Sequence, residues 1–110
     1  MVLEDNIVKY ALKLDGVDYV EEKGEKLTQR IFRRGEKIFL IIEAATSPLR
    51  IEIRCDRRLS KLLQSRYESV MNGRALGRNG TEIICSGQLT DDEVIDLVRH
   101  SYEISTPDSL

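Results

Sequence analysis

The sequence has little of what metal, redox or membrane chemistry requires. Its two cysteines, Cys55 and Cys85, lie thirty positions apart and match neither a zinc-ligand spacing nor a CxxC redox pair, and one histidine cannot complete a Cys/His cluster. No stretch reaches the roughly 20 apolar residues that span a bilayer. Residues 1–5 lack the basic start and apolar run of a signal peptide. We therefore expect an unexported, cytoplasmic protein with no metal site, no cofactor and no membrane contact.

Both cysteines fall in apolar, strand-like runs, where a reduced cysteine behaves as a small hydrophobic side chain. We predict that Cys55 and Cys85 are reduced and shielded from solvent, and a reactive thiol is the alternative. Tryptophan is absent and only two phenylalanines are present, which argues against an extensive stacking surface for single-stranded nucleic acid.

The amount of apolar sequence matches one folded domain. The chain has 110 residues, of which 41% are hydrophobic and 33% charged, and this is too much apolar material for a disordered chain. We predict a single domain over residues 1–105 and a frayed tail over residues 106–110.

Apolar residues that alternate with polar ones, and short apolar runs, predict five strands. The sequence Arg34-Gly35-Glu36 indicates a tight hairpin between the second and third strands. The run Ile38–Ile42 is apolar on both faces, which is typical of a central strand. The strands are predicted at Val17–Glu22, Thr28–Arg34, Lys37–Glu43, Leu49–Cys55 and Thr81–Ser86. In the fourth of them Arg50, Glu52 and Arg54 share one face, which we expect to point to solvent.

Apolar residues at helical spacing predict three helices. The first covers residues 4–14, with Gly16 as a left-handed cap, and the second runs from the N-cap Asp56 to about Tyr67. The third begins at a Thr90–Glu93 capping box. We expect a buried stripe on the second helix, with a basic exposed face opposite, and a buried inner face on the third. The stripe is Leu59, Leu62, Leu63 and Tyr67, and the inner face is Val94, Leu97, Val98 and Ser101.

The order of these elements is α-β-β-β-β-α-β-α, with residues 68–80 predicted to form a loop because they carry three glycines and no apolar period. This order predicts an α+β fold, in which the helices pack on one side of a mostly antiparallel five-stranded sheet.

Charge is segregated along the chain, although the total is only −2. Residues 1–22 carry a net charge of −4, residues 23–80 carry +8 and residues 81–110 carry −6. A basic segment between acidic ends predicts a dipolar surface that attracts a polyanion. The alternative is that these are ordinary solvated charges, mingled with acids in three dimensions.

Two arginines occupy positions where acids are normally preferred. Arg57 and Arg58 fall in the first turn of the second helix, where the helix dipole already presents positive charge, so each costs on the order of a few tenths of a kcal/mol at an exposed site. An anion site at a helix N-terminus has this appearance, and ordinary sequence variation is the alternative. The candidate phosphate-contacting residues are Arg50, Arg54, Arg57 and Arg58, with Arg33 and Arg34 at the hairpin tip and Arg74 and Arg78 in the glycine-containing loop.

Two motifs contain active-site residue types without the geometry of an active site. Residues 73–80 lack the GK[ST] ending of a phosphate loop and precede a strand, which favours a mobile loop over a nucleotide cradle. Asp96, His100 and Ser101 are the residue types of a hydrolytic triad, but one helix cannot make them converge, and Asp96 and His100 indicate a surface helix pair. We therefore expect no enzyme activity.

Four segments from Leu49 onward follow the pattern of a known family: Arg50-Ile51-Glu52-Ile53-Arg54-Cys55-Asp56, the leucine-rich helix that ends at Tyr67, Gly87-Gln88-Leu89-Thr90-Asp91-Asp92-Glu93 and His100-Ser101-Tyr102. On these residues the chain resembles the MmcQ/YjbR family. The resemblance covers most of the chain, because residues 12–17 and the Ile31–Ile42 hairpin lie where that family has the end of its first helix and its early strands. Members are small bacterial proteins, many of them uncharacterised, with an α+β fold that resembles CyaY and the secretion chaperones. They are commonly described as DNA-binding. The resemblance therefore implies a module that contacts duplex DNA.

The chain departs from this family at two places. The family's Lys-x-His-Trp stretch is replaced by residues 74–82, which contain neither His nor Trp, and Arg57 and Arg58 stand where the family tends to have Pro and acids. The second departure strengthens the attraction for anions. A protein-interaction or chaperone-like module that uses the sheet face, as a homodimer or with another partner, is the alternative function.

Overall fold

The structure, a computed structural model, describes residues 2–44 and 46–106. Within these residues the chain forms three α-helices and one six-stranded sheet. The elements are, in chain order, α1 (Val2–Leu12), β1 (Val17–Lys23), β2 (Thr28–Arg34), β3 (Lys37–Ala44), β4 (Leu49–Arg54), α2 (Arg57–Arg66), β5 (Val70–Asn72), a 3₁₀ turn (Gly77–Asn79), β6 (Gly80–Cys85) and α3 (Asp91–Ile104).

The sheet has the strand order β1-β2-β3-β4-β6-β5, and every neighbouring pair is antiparallel. The predicted hairpin between β2 and β3 is confirmed, and its Gly35 has φ 62°, which an L-residue rarely adopts. The apolar run of β3 is central as predicted, because β2 and β4 flank it and residues 39–42 are buried.

The predicted number of strands is wrong by one. The additional strand, β5, falls in residues 68–80, which the sequence indicated to be a loop. Its residues Val70 and Asn72 pair with Ile83 and Thr81 of β6, and Val70 is buried. A strand of three residues is too short for alternation to reveal it, and it forms because β6 offers it an edge.

The main core lies between the sheet and the helices, all on one side of the sheet as predicted. Helix α3 crosses β3 and β4, and α1 packs on α3 and β1. The predicted inner face of α3 is confirmed, and its capping box is formed. The hydroxyl of Ser101 donates to the carbonyl of Phe39 at 2.6 Å and accepts from the amide of Arg54 at 2.8 Å. One side chain therefore fastens α3 to both central strands.

Helix α2 begins at the predicted N-cap, but it is turned differently from the prediction. Leu62 is 47% exposed, and Leu59 and Leu63 are only half-buried. The residue that α2 buries is Ser60, whose hydroxyl lies 2.8 Å from that of Thr81 in β6. With Ser60 against Thr81, the helix is rotated about its axis by roughly a quarter of a turn from the orientation in which the leucine stripe would face the sheet.

The opposite face of the sheet carries a second, smaller apolar cluster. It consists of Ile31, Ile41 and Leu76, with Ile38 packed against it. Glu52 and Glu82 on the same face are also buried, at 7% and 5% exposure. The expectation that Glu52 points to solvent is wrong, because the segment after β5 folds over this face and covers it.

The ends of the chain add two observations. The predicted frayed tail lies outside the described residues apart from Thr106. Among the helices of residues 2–44 and 46–106, none has the length and apolar character needed to cross a membrane.

The orientation of α2 predicts unequal costs for two Leu→Ala changes. Leu49 in β4 is fully buried, so Leu49→Ala should lower the free energy of unfolding by about 2–5 kcal/mol. Leu62→Ala removes an exposed side chain and should change it by less than about 0.5 kcal/mol. Urea unfolding of both variants measures the difference. Equal losses would show that Leu62 is buried and that α2 is turned as the leucine stripe suggests.

Candidate nucleic-acid interface

Helix α2 has a basic exposed face. Its ten residues include no acid, and its four cations are all exposed. Arg57 and Lys61 form one row along the helix, and Arg58 and Arg66 lie in the adjacent row, because residues four apart share a face. Arg57 and Arg58 were predicted site residues, whereas Lys61 and Arg66 were missed. Their spacing on the exposed face is the signal that identifies them.

A polar cleft of about 400 Å³ joins the start of α2 to the 3₁₀ turn. Arg57 and Arg78 line it, together with Asn72, Gly77 and Gly80. The backbone places the two arginines together, because the amide of Cys55, just before α2, donates to the carbonyl of Asn79 at 2.8 Å. Two of the predicted arginines, 21 positions apart in sequence, therefore border one cleft.

The loop that carries Arg74 and Arg78 is held by a buried carboxylate. The Glu52 carboxylate accepts hydrogen bonds from the backbone amides of Arg74 at 3.1 Å, Ala75 at 3.0 Å and Leu76 at 2.8 Å. Gly73 and Gly80 lie so close to this carboxylate that a Cβ at either position would collide with it. The negative charge of Glu52 is thus satisfied inside the protein, while the side chains of Arg74 and Arg78 remain exposed.

Three of the predicted arginines make internal contacts instead. Arg50 pairs with the buried Glu82 at 3.6 Å, and Arg54 Nε donates to the carbonyl of Ile38 at 2.7 Å. Arg34 Nη1 donates to the carbonyl of Tyr102 at 2.9 Å, and its guanidinium carbon lies 4.1 Å from the centre of the Tyr102 ring. These guanidinium groups therefore have partners within the fold.

Arg33 is exposed on β2. The register aligns Phe32 with Leu40 and Leu40 with Ile53, so Arg33 lies at the same end of the sheet as the start of α2. Two strand spacings, about 10 Å, separate β2 from β4. Arg33 is therefore at the margin of the basic region and outside the cleft.

The residues with catalytic potential have structural partners. The Ser101 hydroxyl is hydrogen-bonded to the backbone of β3 and β4, and His100 Nε2 accepts a hydrogen bond from the Asp56 amide at 3.2 Å. Asp96 forms an ion pair with Arg99 at 3.6 Å. This partner differs from His100, the partner predicted from the sequence. In the described ranges, no three His, Cys, Asp or Glu side chains gather where they could hold a metal ion.

Both cysteines are free thiols, Cys55 buried and Cys85 partly buried. Burial raises the pKa of the Cys55 thiol to about 11, with a smaller effect from Asp56. Burial likewise raises the pKa of Cys85 to about 11, helped by Asp91. The predicted shielding is confirmed for Cys55 and is incomplete for Cys85.

Comparison with known proteins identifies the fold. The chain is similar to the crystal structure of the Deinococcus radiodurans protein DR2400, which contains a DUF419 domain, with a TM-score of 0.75 and 19% sequence identity over 97% of this chain and 91% of the other. No family model matches the sequence. No curated protein matches it either.

The contacts of Glu52 predict that a neutral amide cannot replace it. Glu52→Gln substitutes an NH₂ donor for one acceptor oxygen opposite three N–H donors, and this should lower the free energy of unfolding by about 1–3 kcal/mol. Hydrogen exchange at the amides of Arg74, Ala75 and Leu76 should become faster. Glu36→Gln, at the exposed hairpin tip, removes the same charge and is the control. Unchanged exchange in Glu52→Gln would contradict the role of this carboxylate.

The raised thiol pKa values predict slow alkylation of the folded protein. At pH 8 the thiolate fraction at a pKa of about 11 is small, so both cysteines should react far more slowly than in urea. Cys85 should react before Cys55, because it is less buried. Mass spectrometry of a labelling time course measures both rates, and rapid native labelling of both thiols would refute the prediction.

Proposed function

We propose that this chain is a non-enzymatic, cytoplasmic DNA-binding module of the MmcQ/YjbR type. Its phosphate-binding surface consists of Arg57, Arg58, Lys61, Arg74 and Arg78. The observation that carries the proposal is the polar cleft where Arg57 of α2 meets Arg78 of the loop. Four of these five residues are among the arginines predicted from the sequence, and Lys61 follows from the helix spacing.

The local electrostatics favour an anion at this surface. Arg57 and Arg58 lie in the first turn of α2, so the helix dipole adds to their positive charge. The Glu52 carboxylate, which would otherwise repel phosphate, is enclosed by backbone amides. Cations on a helix and on a neighbouring loop can contact phosphates along one duplex without reading its bases.

The comparison supports the same proposal at the level of fold. The DUF419 domain of the similar structure is related to the MmcQ/YjbR family, which the sequence resembles. The chain lacks the Trp that this family usually has, and neither α2 nor the loop after β5 carries an aromatic side chain. Their exposed cations are therefore the groups we propose for contact. This composition favours contact with duplex phosphate over base stacking.

Salt dependence tests the proposal most directly. If about four phosphates are neutralised, the logarithm of the association constant should fall with the logarithm of salt concentration at a slope of about −3.5. Arg57→Glu/Arg78→Glu should weaken binding by about tenfold or more and should make the slope shallower by about 2. Fluorescence anisotropy with a labelled duplex measures both quantities.

Lys23→Glu/Lys26→Glu is the matched control. It introduces the same change in net charge at the end of β1 and in the exposed turn that follows, at the other end of the sheet from the start of α2. This variant should retain most of the binding. Equal weakening by the two double variants would show a general charge effect, and no binding of the wild-type protein at about 50 mM salt would overturn the proposal.

A protein-interaction module is the second candidate. The sheet face expected to serve it is partly covered by the loop after β5 and carries buried carboxylates. The observation that favours this candidate lies elsewhere, in the apolar groove beside the exposed Leu62.

A further inference from the structure

An apolar groove of about 270 Å³ separates α2 from α3. The helices run antiparallel, because Asp56 before α2 contacts His100 of α3, and Ser69 after α2 bonds to Gln88 before α3. The groove is lined by Leu59 and Leu63 of α2, by Leu89, and by Glu93, Asp96, Leu97 and His100 of α3.

The α2 side of this groove is apolar and basic. Arg58, Leu62 and Arg66 are four residues apart and form a row next to Leu59 and Leu63. Leu62 is 47% exposed, although it lies between two exposed cations. This row therefore presents one apolar side chain with positive charge on either side.

The α3 side is acidic. Glu93 and Asp96 line the groove, and Asp92 is exposed beside them. Asp96 pairs with Arg99 of the same helix and Glu93 accepts from the amide of Thr90, and among the described residues no ion pair joins α3 to α2. The basic and acidic edges of the groove are thus not matched to each other within one chain.

We propose that a second copy of this chain covers the groove in a two-fold dimer. Leu62 of each copy enters the groove of the other, and α2 of each copy lies along α3 of the other. Charge favours this arrangement over one in which the two α2 helices face each other. In that alternative, Arg58 of each copy would lie opposite Arg66 of the other, and the two positive charges would repel. With the two-fold axis along the groove, each basic edge meets an acidic edge.

The size of the surface sets the strength of this dimer. Helices of 10 and 14 residues are about 15 and 21 Å long, so the contact falls below about 1,200 Å² in total and should be weak and concentration-dependent. Arg57 and Lys61 lie in the row of α2 farther from the groove and stay accessible, whereas Arg58 faces the other copy and is then not available to phosphate. The dimer does not depend on the proposed DNA binding, and its test uses no DNA.

Sedimentation equilibrium from about 10 μM to about 1 mM protein at low salt should show a monomer–dimer equilibrium. Leu62→Ala should raise the dissociation constant by about tenfold, and urea unfolding in parallel should show little change in stability. A wild-type chain that stays monomeric over this range overturns the proposal, and so does a Leu62→Ala variant that dimerises like the wild type.

A charge exchange tests the arrangement of the helices. Arg58→Glu/Arg66→Glu and Asp92→Lys/Asp96→Lys should each dimerise less, because each opposes like charges, and an equimolar mixture should regain the dimer. Lys9→Glu/Lys13→Glu, on the exposed side of α1 and after its end, makes the same charge change as the first variant and should dimerise normally. Failure of the mixture to exceed either variant alone contradicts the packing of α2 on α3.

Discussion

The candidate interface depends on the carboxylate of Glu52. This side chain extends from β4 to the face of the sheet opposite α1, α2 and α3, and it accepts hydrogen bonds from three successive amides of the loop after β5. The loop in turn covers the small apolar cluster through Leu76 and places Arg78 beside Arg57. A buried charge of this kind is tolerated because its hydrogen-bond partners are backbone groups that would otherwise need water. One acid therefore organises the basic surface.

Small polar side chains help to position two of the helices. Ser60 sets the rotation of α2 through Thr81, and Ser101 fixes α3 over the carbonyl of Phe39 and the amide of Arg54. Because each hydroxyl must keep a partner when buried, these contacts allow fewer orientations than leucine packing alone. The leucines of α2 are left at the edge of the core as a result, and the groove beside α3 follows from this.

Local signals predicted the parts of the fold that depend on short-range order. The capping box and the 3.6-residue spacing predicted α3, and the Gly35 turn predicted the hairpin between β2 and β3. The missed features depend on residues distant in sequence. Alternation assigned Glu52 to the correct face of β4, but the loop that buries it begins about twenty residues later. Likewise, Arg50, Arg54 and Arg34 resembled free cations because their partners, such as Glu82 and Tyr102, lie in other elements.

Tyr102 connects three distant parts of the chain. Its hydroxyl donates to the carbonyl of Asp15 at 2.6 Å, across 87 positions, and its ring and carbonyl hold Arg34. Such a contact closes a loop of most of the chain, and contacts of this separation form late in folding. Since translation proceeds from the N-terminus, α1 leaves the ribosome well before α3, the helix on which it packs. Helix α1 can therefore complete its packing only after α3 has been made, and until then the part of its apolar face that α3 covers lacks that partner.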